Sequence, residues 1–128
     1  MDHDLSVLRS LERLVQALGF EVRTFGTPAA LLKSELPRSD ACMILEVNLP
    51  EMDGVGVSEL LAERGYALPT ILMTGRTGDS RSQRLIRRAR AVTTLYKPFS
   101  ADRLLDALSA AFAQQEHSML LKNKGPGS

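Results

Sequence analysis

The stretch Cys42-Met43-Ile44-Leu45-Glu46-Val47-Asn48-Leu49-Pro50-Glu51-Met52-Asp53-Gly54 decides the fold. Four consecutive apolar residues, Cys42 to Leu45, stop abruptly at Glu46. A short continuous run of this kind suits a strand covered on both faces, as in a parallel sheet. From Asn48 to Gly54 the residues are rich in turn formers, so the strand empties into a loop. A helix from about Val55 to Arg64 follows. The strand thus ends on a carboxylate, at the point where an irregular loop begins.

The same alternation of short apolar runs and helical stripes continues on both sides. Downstream, Leu68 to Met73 is a second buried strand ending at Thr74-Gly75, Arg81 to Arg90 reads as a helix, and Ala91 to Tyr96 as a further strand. Ser100 caps a last helix from Ala101 to about Gln115, with the stripe Leu104, Leu105, Leu108 and Phe112. Upstream, Leu8, Leu11, Val15 and Leu18 recur at spacings of three and four, the buried stripe of a helix that Gly19 ends. Phe20 to Phe25 alternates large apolar with polar side chains and is expected to form a strand. Thr27-Pro28 opens a helix through about Leu36, because proline is tolerated in a first turn.

The order is a helix, then strand and helix repeated four times. It predicts an α/β, doubly wound parallel sheet with right-handed crossovers and helices on both faces. In such a sheet the functional crevice lies at the carboxyl ends of the strands. Glu46, Thr74 and Tyr96-Lys97-Pro98 stand there. An acid, a hydroxyl and a lysine at successive strand ends suit an anion or metal site; the plain alternative is that strand ends simply carry polar residues.

Composition narrows the function classes. With 128 residues, 44% apolar and 24% charged, the chain has the size and balance of one globular domain. No apolar run approaches the roughly 20 residues of a membrane-spanning helix. MDHDLS lacks the features of a signal peptide, so a cytoplasmic location is expected. One cysteine excludes an intramolecular disulfide, and with two histidines it leaves little for zinc. No nucleophile–base pair, glycine-rich phosphate loop or metal-ligand cluster appears, so the chain is not expected to be a classical enzyme. Asp2 and His3 alone are too few ligands for a metal corner.

The net charge of +1 conceals an uneven distribution. Arg76, Arg81, Arg84, Arg87, Arg88 and Arg90 cluster against Asp79 alone. On a helix Arg81, Arg84 and Arg88 share one face with Arg87 beside them. The face suits an acidic protein partner, a nucleic acid or plain solvation. With a near-neutral total and 5% aromatics, a nucleic-acid stacking platform is disfavoured.

From Asp2 to about Phe112 the chain resembles the receiver domain of bacterial two-component response regulators. The pieces that carry the resemblance are Asp2 ahead of the first helix, LGFEVRTF, MILEVNLPEMDG, PTILMTG and YKPF. The resemblance implies the flavodoxin-like receiver fold, a parallel sheet in the order 2-1-3-4-5. It also implies a pocket in which an aspartate ending the third strand accepts a phosphoryl group from a histidine kinase beside Mg²⁺ held by an acidic pair. Thr74 and Lys97 match the family's hydroxyl and lysine. Pro98 matches the proline that usually makes a cis bond with that lysine. Gly54 closes the active-site loop begun by Leu49-Pro50, and Asp2 matches one of the acidic pair.

The departures fall on the chemistry. Glu46 occupies the phosphoacceptor position, His3 occupies the other acidic position, and Thr94 stands where an aromatic switch residue is common. Arg90 stands where glycine is frequent. Phosphoryl transfer needs an in-line nucleophile and a divalent ion. Glutamate displaces the carboxylate by roughly 1.5 Å, and misplacement of about 1 Å costs roughly 100-fold. Histidine in place of a carboxylate weakens a site for Mg²⁺, a hard ion whose ligands here would be Asp2 and Glu46. No cofactor is therefore expected, or at most weakly held Mg²⁺. The expected function is an atypical, pseudo-receiver module that binds a kinase or an output protein independently of phosphorylation. A working phosphoacceptor with altered chemistry is the alternative, and an arginine-rich nucleic-acid module ranks behind it. Glu46 facing Lys97 would either imitate the phosphorylated state or form an ordinary ion pair.

The receiver is expected over 1–113, with 114–128 as a helix extension or tail and residues 125–128, Gly-Pro-Gly-Ser, as a cloning remnant. The family's first strand is expected to be absent, or supplied by another segment or chain. A homodimer, a strand-exchanged oligomer or a fold-back of Met119-Leu120-Leu121 would complete the sheet.

Overall fold

A computed structural model of the chain describes residues 5–49, 52–75, 80–89 and 91–123. Its element order is α1 (Leu5–Ala17), α2 (Pro28–Lys33), β1 (Met43–Glu46), α3 (Gly54–Glu63), β2 (Thr70–Thr74), α4 (Ser80–Arg88), β3 (Thr93–Tyr96) and α5 (Ala101–Asn123). Among the described residues the sheet has three parallel strands in the order β1-β2-β3. Glu46 pairs with Met73 and Thr74 with Tyr96, so the carboxyl ends of all three strands lie on one edge.

The central strand shows why the sheet is parallel and covered. Every residue of Thr70–Thr74 is buried, and its side chains alternate between two cores. Ile71 and Met73 pack with Leu11, Val15, Leu104 and Leu108 of α1 and α5. Leu72 packs on the opposite face with Leu45, Val57, Leu61 and Leu85, the side of α3 and α4. Full burial of each such side chain contributes about 1.5–3 kcal/mol, more than the surface contacts described below. The backbone ladder sets the register: Met43 N–H donates to Pro69 O, Val47 N–H to Met73 O, and Lys97 N–H to Thr74 O at 2.8 Å.

Local chemistry sets the helix ends. Thr27 caps α2 by accepting from Ala30 N–H at 3.1 Å, with Pro28 in the first turn. The helix stops at Lys33 rather than Leu36, because Ser34 is already extended and Pro37 disfavours helical backbone just before it. Asp53 caps α3 through Gly56 N–H at 2.7 Å, and Gly19 follows α1 with a left-handed φ of 95°. α5 continues through Asn123, so Met119–Leu121 lie within a helix and do not fold back into the sheet. β2 begins at Thr70 instead of Leu68.

The expected strand at Phe20–Phe25 does not form. Alternation makes a segment fit to be a strand, but a strand exists only by pairing, and among the described residues no strand lies beside this one. Its local bonds go elsewhere: Phe20 N–H donates to Val15 O, and the Arg23 guanidinium donates to Glu35 O at 2.8 Å while lying over the Phe25 ring. Phe20 stacks on Phe112 with ring centroids 5.5 Å apart. Between this segment and β1 lies a cavity of about 900 Å³, lined by Val15, Phe20, Val22, Cys42, Ile44 and Phe112 among others. The order 2-1-3-4-5 assigns that place to the first strand, and the residues ahead of Leu5 lie outside the described ones.

A Cβ on Gly54 would overlap the Glu46 carbonyl oxygen, because Gly54 N–H donates back to Val47 O at 3.0 Å. Gly54→Ala is expected to lower stability by about 1–3 kcal/mol or more, measured as the midpoint of urea unfolding. Burial pushes the Cys42 thiol up to about 11, so little thiolate exists at pH 8. A disulfide reagent is expected to label the folded chain roughly 100-fold more slowly than the urea-unfolded chain.

Candidate functional site

Three strand ends converge on one polar pocket. Glu46 closes β1 and is only 5% exposed. Its position follows from the abrupt end of the apolar run: the backbone is still in the sheet, paired opposite Met73, when the first charged residue arrives. Thr74 closes β2 and is wholly buried. Lys97 comes directly after β3, placed by its own N–H on the Thr74 carbonyl, and the Lys97–Pro98 peptide bond is cis.

The Lys97 ammonium stands 2.9 Å from Glu46 Oε2. It approaches as an ion pair rather than along a directed hydrogen bond. The Glu46 side chain is 7% exposed and that of Lys97 26%, so water screens the pair only from the lysine side. In such surroundings an opposite charge is worth far more than at an open surface, and removal of Lys97 would leave a costly buried charge on Glu46. The one carboxylate among the residues that end the strands is therefore already matched by a cation. Among the described residues no group of three acidic, histidine or cysteine side chains gathers to hold a metal.

Beside this pair lies a hydroxyl–amide network. Asn48 Nδ2 donates to Thr74 Oγ1 at 3.3 Å and to Ser82 Oγ at 2.9 Å. Arg81 donates to Asn48 Oδ1 at 3.2 Å. Ser82 is wholly buried. Neither Asn48 nor Ser82 stood out as a site residue in the sequence. A signal for Ser82 was present: it lies three positions before Leu85, on the stripe of α4 that must face the sheet, where a polar residue implies a buried hydroxyl.

The remaining candidates are dispersed. Thr94 lies within β3 opposite Leu72 and is half-buried; the aromatic residue of this strand, Tyr96, is 37% exposed. Asp2, His3 and Pro50 lie outside the described residues, as do Arg76 and Arg90. The four arginines of α4 divide by function. Arg81 serves Asn48. Arg88 pairs with Glu59 at 3.0 Å and Asp53 at 3.5 Å, tying α4 to the start of α3. Arg84 and Arg87 are exposed. Among the described residues no helix is long and apolar enough to cross a membrane.

Known proteins share both this sequence and this arrangement. Residues 1–109 match the family described as response regulator receiver domain. Nodulation protein W of Bradyrhizobium diazoefficiens is 36% identical over 111 residues, covering 87% of this chain and 48% of that protein. Response regulator protein TmoT of Ectopseudomonas mendocina is 35% identical over 111 residues, covering 87% of this chain and 50% of that protein. The chain thus spans about half the length of these relatives. Among solved structures, response regulator StyR superimposes with a TM-score of 0.79 at 26% identity, over 97% of this chain and 62% of that one. The structure titled FixJ-N gives 0.76 at 24% identity over 88% and 90%, a likeness of fold. The parallel sheet with helices on both faces is accordingly the flavodoxin-like receiver fold, and the chain belongs to the receiver domain family of two-component response regulators.

Proposed function

We propose that this receiver acts as a phosphorylation-independent protein-interaction module of a two-component pathway. The observation that carries the reading is the buried pair of Glu46 and Lys97 at 2.9 Å. A phosphoacceptor needs a carboxylate oxygen free to attack in line, and a cation free to meet the arriving phosphoryl oxygens. Here the longer glutamate brings its carboxylate to the lysine, and each charge satisfies the other. The pair supports a structural ion pair over phosphoryl mimicry: a carboxylate carries one charge and two oxygens, while a phosphoryl group carries about −1.5 to −2 and three. On this reading the chain is not an enzyme and requires no Mg²⁺, which would bind weakly through Asp2 and Glu46.

The partner is a histidine kinase or an output protein, met through α4. Arg84 and Arg87 are exposed on that helix, which suits an acidic protein surface. The engagement of Arg81 and Arg88 within the chain leaves too small a basic face for a nucleic acid. The cavity between residues 20–25 and β1 supports a second part of the proposal, self-association that completes the sheet.

Three measurements test these statements. Incubation with acetyl phosphate and Mg²⁺, followed by intact mass, is expected to show no adduct; one phosphoryl group on Glu46 would instead establish the working acceptor. Glu46→Gln is expected to leave kinase or output-protein binding within about threefold while lowering stability, by at most the roughly 3–5 kcal/mol of a broken buried pair. Loss of binding without loss of stability would show that Glu46 imitates phosphorylation. Molar mass by light scattering is expected to rise from monomer to dimer with concentration, and a monomer at every concentration removes self-association from the proposal.

A further inference from the structure

Three elements meet on the side chain of Asn48: the loop after β1, the end of β2 and the first turn of α4. A primary amide has two N–H donors and one carbonyl acceptor. Asn48 spends both donors, on Thr74 Oγ1 and Ser82 Oγ, and its carbonyl on Arg81. Arg81 fixes the direction of the amide, because a flipped amide would set NH₂ against guanidinium, donor against donor. Both hydroxyls are fully buried, so water cannot replace the amide there.

The helix so held has little else to hold it. α4 is nine residues, SRSQRLIRR, shorter than the roughly 12–15 residues at which an isolated helix is even marginal. Its large apolar side chains are Leu85, which is buried, and Ile86, which is half-buried. At its far end Arg88 pairs with Asp53 and Glu59, but its side chain is 53% exposed, and exposed pairs contribute little. We propose that Asn48 is the positioning residue of α4: its amide fastens the first turn of the helix to β2, so that Arg84 and Arg87 project from a fixed helix. The proposal concerns α4 alone and stands or falls separately from phosphorylation of Glu46.

Hydrogen exchange of the full chain, followed by peptide-level mass spectrometry, tests it. Asn48→Leu is expected to speed exchange across Leu85–Arg88 at least about tenfold while Leu60–Glu63 of α3 stays within about twofold, the pattern of local rather than global opening. Ser82→Ala is expected to do the same, and the double variant to add nothing further. Asn48→Asp is expected to restore protection to within about threefold, since a carboxylate accepts from both hydroxyls and from Arg81. Unchanged exchange in α4, or equal acceleration of α3 and α4, overturns the proposal. Should Asn48→Leu not fold, Ser82→Ala alone decides between these outcomes.

Discussion

Burial of β2 on both faces is the constraint from which the other features follow. A strand with no side open to water must satisfy its backbone through neighbouring strands, and it finds them in β1 and β3. That pairing brings Glu46, Thr74 and Lys97 to one edge and sends alternate side chains into separate cores. Polar chemistry is thereby confined to the strand ends. A charge placed anywhere else along β2 would have to be buried without a partner.

At that edge the polar groups are shared between two neighbouring systems. One is ionic, Glu46 with Lys97. The other is neutral and hydrogen-bonded, Asn48 with Thr74 and Ser82. Thr74 sits at their boundary: its carbonyl places Lys97 and its hydroxyl meets Asn48. A substitution there would disturb both systems, through the backbone on one side and the side chain on the other.

What was legible in the sequence depended on whether the signal was carried by one segment or by a relation between segments. β1 and β2 were readable because continuous apolar runs bounded by Glu46 and Thr74 leave few alternatives. The receiver resemblance was readable because Leu-Pro, Met-Asp-Gly and Lys-Pro-Phe recur at fixed separations. Phe20–Phe25 misled because its alternation speaks of capacity to pair and says nothing of a neighbour. The pairing of Arg88 is not legible in the sequence because its acidic partners, Asp53 and Glu59, come from the cap and body of α3. Asn48 drew no notice because a turn-forming residue in a loop already had an explanation.

The two ends of α4 are fastened by different physics. Its start is held by buried neutral hydrogen bonds, and its end by Arg88, an exposed cation between Asp53 and Glu59. Dissolved ions weaken exposed ion pairs while leaving buried neutral contacts nearly untouched. The contacts of the last turn of α4, with Arg87 on it, are therefore more sensitive to ionic strength than those of its first turn.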